Sequence, residues 1–318
     1  MDADMSTTAD SKISYKLAKA FGRIPWIRTG IRRRLVRRFF DPLTMNPSAF
    51  ETNFFGMKYA GKFDSVIDWC VYFFGNFAPH ELHVLQSLAG ADGNKVYWDI
   101  GGNTGHHSLF MTNLCRHVHY FEPFPALRDR FRQNVSINEK TNVSIHKIGL
   151  GEREENLTYY APTSRNLGTG SFVESHAADN SASGEFLIRR ADDVSREPGV
   201  EPPDIIKIDV EGFEFNVLRG MRQTLQTHHP VVLMEVTKSS MKNLKSGESL
   251  SDFFPYEHTV REIHPPGSWG VFFQNSGFVS LPFEREKLGQ GDVSQYLLIS
   301  PVESEEQSAS SARSRSAA

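Results

Sequence analysis

Hydrophobic and polar positions fall along the chain in two kinds of block. Short apolar runs, "KVYWDI", "HVHYFEPFP", "NVSIHKIGLG", "PDIIKIDVEG" and "PVVLMEV", read as buried strands. Between them "HHSLFMTNLCR", "ALRDRFRQNVSINE" and "EFNVLRGMRQTLQTH" read as helices; in the second, Leu127, Phe131 and Val135 recur at i, i+4 and i+8. Near the end "GFVSLPFE" and "SQYLLIS" read as two more strands with a turn between them. Upstream, residues 45–95 read as irregular and helical and rich in aromatics, with "HELHVLQSLAG" a helix closing on a Gly90 cap. Strands separated by helix-length connections predict an α/β architecture: a doubly wound, mostly parallel sheet with helices on both faces and right-handed crossovers. Such sheets bind ligands beyond the carboxyl ends of their strands, at the switch point in strand order. The informative residues are therefore those following each strand: Asp99 to Gly105, Glu122, Gly149, Asp209 to Glu214, and Glu235.

Composition changes this picture only at the ends. The 318 residues carry a net charge of −3 and 23% charged residues, ordinary for a soluble globular chain and without a polyanion-binding signature. Cys70 and Cys115 make neither a disulfide framework nor a zinc site and read as buried thiols. No apolar run approaches the roughly 20 residues of a spanning helix, and no secretory signal opens the chain, so a cytoplasmic location is expected. From Lys12 to Arg38, however, there are ten Lys and Arg and no acid. Ile13, Leu17, Phe21 and Ile24 share one helical face, and Ile31, Leu35, Phe39 and Phe40 another, interrupted by Pro25. The favoured reading is a surface helix packed on the main domain. Its rival is an amphipathic helix making peripheral contact with the inner face of a membrane through residues 12–40. Nucleic acid is not expected, because no stacking platform accompanies the basic arm. The chain thus divides into a basic amphipathic segment (1–44), a helical aromatic-rich cap (45–95), the main domain (96–302) and a disordered tail (303–318).

The first loop, Asp99-Ile100-Gly101-Gly102-Asn103-Thr104-Gly105, raises the question of the cofactor. A dinucleotide site offers G-x-G-x-x-G, with the helix N-terminus aimed at a pyrophosphate. Here Asn103 stands where the middle glycine would be, and the acid Asp99 precedes the first glycine. An anion would be repelled by that acid, whereas a cationic ammonium and sulfonium would not. Glu122, at the end of the second strand and 17 residues after Gly105, can accept from both hydroxyls of an adenosine ribose. Together these favour S-adenosylmethionine over NAD.

At this point "WDIGGNTGHHSLF", "YFEPFPALRDRFRQNVSIN", "NLGTGSF" and "IKIDVEGFEFNVLRGM" resemble, in order along the chain, the motifs of the FkbM family of S-adenosylmethionine-dependent methyltransferases. The resemblance spans roughly residues 54–236, and "IKIDVEGFE" is its most specific block. It implies a Rossmann-like, class I methyltransferase fold with a seven-stranded sheet, and methyl transfer to a hydroxyl oxygen. Carried over, Asp99, Gly101, Asn103 and Gly105 would shape the cofactor pocket and Glu122 would hold the ribose. Asn134 and Asn138 match family positions but read mainly as helix-end hydrogen bonders. The loop with Asn166 and Ser171 would lie over the active site and offer hydrogen bonds to a polar acceptor. The doubled His106-His107 and the basic amino-terminal segment lie outside the family pattern.

The fourth strand supplies the chemistry. Methyl transfer is an in-line displacement in which the protein mainly aligns the reactants. A carboxylate that takes the hydroxyl proton would add a factor of roughly 10²–10⁴. Asp209 and Glu211 are the candidates, with Glu235 on the adjacent strand joining them at the acceptor. Mg²⁺ held by these acids is the second reading and is not favoured, since no ligand spacing fixes it. Glu214 reads as a helix-terminal acid, Lys207 as a buried partner for one of the carboxylates, and His106 and His107 as satisfied residues of a first helical turn. The aromatics of residues 54–77 read as packing. The expected acceptor is a hydroxyl of a sugar or glycolipid. The alternatives are a polyketide or other secondary metabolite, and a cofactor-binding module without catalysis.

Overall fold

The computed structural model describes residues 14–162, 170–172, 180–269, 273–274, 277–284 and 294–302. The expected tail therefore lies outside the described residues, as does Asn166. Two helices come first, α1 (residues 14–22) and α2 (Thr29–Phe39). A hairpin follows, β1 (Ala49–Phe54) and β2 (Met57–Lys62), and then α3 (Val66–Phe74) and α4 (Pro79–Ala89), the latter ending on Gly90. The hairpin corrects the expectation of an irregular and helical segment over 45–95. Phe55 and Gly56, with φ of 49° and 83°, make a two-residue turn between the strands.

The strand–helix alternation then begins: β3 (Val96–Ile100), α5 (His106–Met111), β4 (His117–Phe121), α6 (Pro125–Ile137) and β5 (Val143–His146). Next come β6 (Gly149–Gly151), β7 (Glu155–Pro162), β8 (Asn180–Arg190) and α7 (Ala191–Val194), followed by β9 (Ile205–Ile208), α8 (Glu214–Gly220), α9 (Arg222–His228) and β10 (Val231–Val236). The chain closes with α10 (Lys238–Lys242), β11 (His258–His264), the two-residue strands β12 (Ser268–Trp269) and β13 (Phe273–Gln274), β14 (Val279–Pro282) and β15 (Gln295–Pro301).

The main sheet has the order β14-β11-β15-β10-β9-β3-β4-β5. From β5 to β10 the strands are parallel, and β15 enters antiparallel between β10 and β11. Seven of these strands make the expected doubly wound sheet. The eighth, β14, extends its exposed edge, where Pro282 removes a ladder donor. The two strands expected near the carboxy terminus, β14 and β15, are present and flank β11. "NVSIHKIGLG" is likewise not one strand. β5 stays in the main sheet, and β6 leaves it to form a separate sheet of order β6-β8-β7. The helix expected over "EFNVLRGMRQTLQTH" breaks at Met221, just after Gly220 packs so closely on β6 that a Cβ there would lie 1.7 Å from the Gly151 carbonyl oxygen.

Both faces of the central strands are buried, as parallel sheets require. Trp98, Ile100, Ile206, Ile208, Val232 and Met234 pack on one side with Phe215 and Leu218. Tyr97, Val118 and Tyr120 pack on the other with Leu82, Leu85, Leu109 and Phe131. A third cluster, Val36, Phe63, Trp69, Cys70 and Phe73, ties α2 and α3 together. Arg23 donates to the Val71 and Tyr72 carbonyls at the end of α3 (3.0 Å each), and the Trp69 indole donates to the Phe40 carbonyl (2.8 Å). The apolar face expected on the second basic helix is not the packed one: α2 buries Arg32 and Val36 and leaves Leu35 and Phe39 exposed. Among the described residues no helix is long and apolar enough to cross a membrane.

Asn138 caps the end of α6 as expected, donating to the Asn134 carbonyl (2.8 Å), but both asparagines also reach across to β2. The Asn134 amide accepts from the Ala60 N–H (2.7 Å) and donates to the Ala60 carbonyl (3.0 Å). One turn on, Asn138 does the same with Lys58 (2.9 and 2.7 Å). Two side chains of α6 thus pair with the open edge of β2 as a neighbouring strand would. Asn134→Ala should cost about 2–3 kcal/mol, because it strands two buried backbone groups. Asn138→Ala, at the wetter end, should cost under about 1 kcal/mol. Urea unfolding midpoints at unchanged slope would check this, and equal losses would show that burial does not set the cost.

Candidate active site

A cavity opens at the carboxyl ends of β3 and β9, where the strand order switches. Its lining includes Gly101, Asn103, Glu122, Gly149 and Leu150. The glycines are dictated by contact. A Cβ on Gly101, whose φ is +79°, would lie 2.0 Å from the Asp209 carbonyl oxygen, and one on Gly105 would lie 2.1 Å from the Phe131 ring. The Gly101 N–H donates to the Phe121 carbonyl (3.0 Å). Asn103 takes φ +53° and donates its N–H to the Glu122 carboxylate (3.1 Å), which also accepts from the Phe124 N–H (2.8 Å). Burial pushes the Glu122 carboxyl up to about 7, against the pull of these two N–H groups and of Arg128. Glu122 lines the cavity with acceptor capacity left on its oxygens, as a ribose diol requires.

Asp99 and Gly105 do not line the cavity; they shape it from behind. Asp99 is fully buried, accepts from the Ser108 hydroxyl (2.6 Å) and lies directly across the ladder from Lys207. Its charge is therefore not what an incoming ligand meets. The acids facing the cavity are Glu122, Asp209, Glu211 and Glu235.

The second half of the cavity is built on the turn after β9. Glu211 and Gly212 both take positive φ, 52° and 103°. Glu214 braces the turn by accepting from the Val210 N–H (3.1 Å) and the Gly212 N–H (3.0 Å). The Ser171 hydroxyl donates to the Glu211 carbonyl (2.8 Å). Ser171 is therefore spent on positioning Glu211 and is buried outside the cavity lining, where an acceptor contact was expected; Gly170 and Phe172 line the wall instead.

Asp209 sits 2.7 Å from the Lys207 ammonium. Burial is the largest influence and would raise its carboxyl, but Lys207 and the hydrogen bond from Glu235 together outweigh it and hold Asp209 below the usual carboxylate range. Glu235 is driven the other way, by burial first and by the neighbouring Asp209 charge second, so it carries the proton of the bond the two share. Tyr296, directly across the ladder from Glu235, donates its hydroxyl to that carboxyl (3.3 Å) and lines the cavity. Sequence reasoning missed Tyr296, because β15 is placed beside β10 only by the long-range antiparallel return.

His106 and His107 are buried, and burial above all keeps both neutral, His106 near 3. They do not line the cavity; His106 stands edge-on to Phe77 (5.5 Å) and His107 lies 3.4 Å from Glu81. The aromatic layer is mainly packing, yet Phe77 reaches the cavity along with Val66 and Ile67. Among the described residues no three His, Cys, Asp or Glu side chains are grouped to hold a metal ion.

A doubly wound sheet with one antiparallel strand, a glycine-rich first loop and a carboxylate after the second strand define a class I methyltransferase architecture. Residues 99–259, just over half of the chain, match the methyltransferase FkbM domain, and the protein belongs to that family. Among curated proteins it is 28% identical over 147 residues to the hexuronic acid methyltransferase AglP of Haloferax volcanii, covering 46% of this chain and 58% of that one. It is 28% identical over 142 residues to methyltransferase 1 of Beauveria bassiana, covering 39% and 57%. The matches thus span less than two thirds of either relative. Similarity to solved structures is loose. The methyltransferase FkbM of Methylobacillus flagellatus aligns at 14% identity and TM-score 0.40, covering 65% of this chain and 44% of that one. A SAM-dependent methyltransferase of Agrobacterium tumefaciens aligns at 11% and 0.42, covering 81% and 72%.

Glu122 makes the cofactor site testable by pH. If Glu122 holds a ribose diol, its carboxylate form is the one that accepts from both hydroxyls, and binding should pull it to its ionised state. Affinity for S-adenosylhomocysteine should rise about tenfold between pH 6 and a plateau near pH 8, because a site titrating near 7 is mostly protonated at pH 6. In calorimetry Glu122→Gln should flatten that profile and weaken binding at pH 8 about tenfold. A wild-type profile already flat over this range would remove Glu122 from the ribose site.

Proposed function

We propose that this protein transfers a methyl group from S-adenosylmethionine to a neutral hydroxyl of a sugar or glycolipid. The observation that carries the proposal is the pair of acids Asp209 and Glu211, which line the cavity from the turn after β9 and are joined to the glycine loop through the Gly101–Asp209 contact. Gly101, Asn103 and Glu122 would hold the cofactor, which would supply an electrophilic methyl carbon and a thioether leaving group. The chain's own residues do the rest. Glu122 fixes the ribose, and the Asn103 backbone fixes Glu122. Asp209 receives the acceptor's proton. Its pairing with Lys207 makes it a weak base, which suits a hydroxyl whose acidity rises steeply as its oxygen bonds to carbon. Glu235 and Tyr296 line the cavity beside it, and lone pairs on their oxygens can accept from further hydroxyls of a polyol and so orient it.

Two further considerations support a sugar. Val66, Ile67, Phe77 and Phe172 give the cavity apolar lining besides its acids, and an amphipathic saccharide or lipid-linked glycan presents both kinds of surface. The AglP relative is named for a hexuronic acid. An acceptor carrying its own ionised carboxylate would meet Asp209 and Glu211 at short range, so a neutral hydroxyl is the better fit. Asp209→Asn should lower kcat by roughly 10²–10⁴ while S-adenosylhomocysteine affinity stays within about threefold. The assay is transfer of labelled methyl from S-adenosylmethionine to a panel of neutral and uronic-acid glycans. Full activity in Asp209→Asn would exclude it as the base, and turnover of uronic acids alone would exclude the neutral-hydroxyl reading.

A further inference from the structure

We infer that the two amino-terminal helices form a docking surface for an anionic phospholipid bilayer. The inference does not depend on the chemistry of the cavity. It starts from an uneven distribution of exposed apolar side chains. Of the ten large hydrophobic residues left exposed among the described residues, five fall between positions 17 and 43: Leu17, Trp26, Leu35, Phe39 and Leu43. Phe39 is 75% exposed and Leu17 is 67% exposed. Scattered single apolar residues need no explanation, but a local concentration of them does.

The cations in the same stretch fall into two groups. Arg23 and Arg32 turn inward, Arg23 to the end of α3 and Arg32 to the Gly22 carbonyl and the Thr29 hydroxyl. Lys19 covers the Tyr72 ring at 4.6 Å. These bind the arm to the domain. Lys16, Arg28, Arg33, Arg34, Arg37 and Arg38 remain exposed. Of these only Arg37 is ion-paired among the described residues, to Asp41 at 3.6 Å. No acid occurs from residue 12 to residue 40 to compensate them.

Helical geometry puts the two kinds of residue together. On α2 the packed stripe is Arg32 and Val36. Ile31, Leu35 and Arg38 stand at i, i+4 and i+7, with Phe39 beside them, and so form an adjacent stripe roughly a quarter-turn round the helix from the packed one. Apolar side chains flanked by unpaired arginines match a bilayer interface in both respects: a boundary into which leucine and phenylalanine can sink, and anionic headgroups for the guanidinium groups. Nucleic acid would use the cations and leave the leucines idle. The arm is also rigidly linked to the cavity. Arg23 and Phe40 hold α3, and the first residues of α3, Val66 and Ile67, line the cavity wall.

The test uses the full chain and vesicle flotation. Vesicles of equimolar phosphatidylcholine and phosphatidylglycerol should bind at least tenfold more protein than pure phosphatidylcholine, and salt should weaken that binding. Leu35→Glu with Phe39→Glu should reduce it at least tenfold, with S-adenosylhomocysteine binding and the melting temperature unchanged. Arg34→Gln with Arg38→Gln should do the same by removing charge alone. Four results would overturn the inference: no flotation, equal flotation with neutral lipid, variants that bind like wild type, or a concentration-dependent dimer that the same substitutions dissolve. The last would make this face a self-interface. Tighter binding to a DNA oligonucleotide than to the vesicles would overturn it too.

Discussion

The ammonium group of Lys207, buried inside the sheet, is the interaction on which the site depends. Burial by itself would drive this lysine towards the neutral form, yet Asp209, Glu81 and Asp99 outweigh burial and keep it charged. Three elements are fixed by that balance. Asp99 reaches Lys207 across the β3–β9 ladder, Asp209 follows it on the same strand, and Glu81 comes from α4 above. A charge removed from any corner would leave the others uncompensated in a medium that solvates them poorly. The positive charge of Lys207 also helps keep His106 and His107 neutral, after burial itself. Lys207 thus sets the working charge of Asp209 and, through Asp209, the protonation of Glu235.

What could be read from the sequence follows the range of the interactions involved. β3, β4, β9 and β10 are buried on both faces, so their apolar runs are continuous and need no partner to be recognised. The Gly90 cap and α6 are equally local. β11 was not recognised, because "HTVREIH" lies near the sheet edge, alternates weakly and is a strand only where β15 and β14 flank it. The hairpin of β1 and β2 was hidden by aromatics that suggested helical packing. Its outer edge is satisfied by Asn134 and Asn138, more than 70 residues away. The break at Met221 depends on Gly220 meeting Gly151, again a contact between distant segments.

The site divides the same way. Gly101, Asn103 and Glu122 were legible because one loop and one strand end carry them. Asp209 and Glu211 were legible because a carboxylate directly after a buried strand has few places to go. Tyr296 and Glu81 were not, since only the closed sheet brings β15 and α4 over the same carboxyls. Ser171 was misread for a related reason. A serine in a glycine-rich loop offers a hydroxyl, and the sequence does not say whether a backbone carbonyl nearby, here that of Glu211, already takes it.

Asp99, the acid that the sequence places to repel a pyrophosphate, is buried and balanced by Lys207. The discrimination comes from position instead. Asn103 stands on the cavity wall where a dinucleotide site keeps bare backbone, and its main-chain N–H is given to Glu122. The start of α5, which would receive a pyrophosphate, carries two buried histidines that lie off the cavity. What faces the ligand is a set of carboxyls, one of them ionised by its lysine. A ligand with a cationic centre and a ribose diol finds complementary groups along that wall. A diphosphate finds carboxyl oxygens where it needs N–H donors.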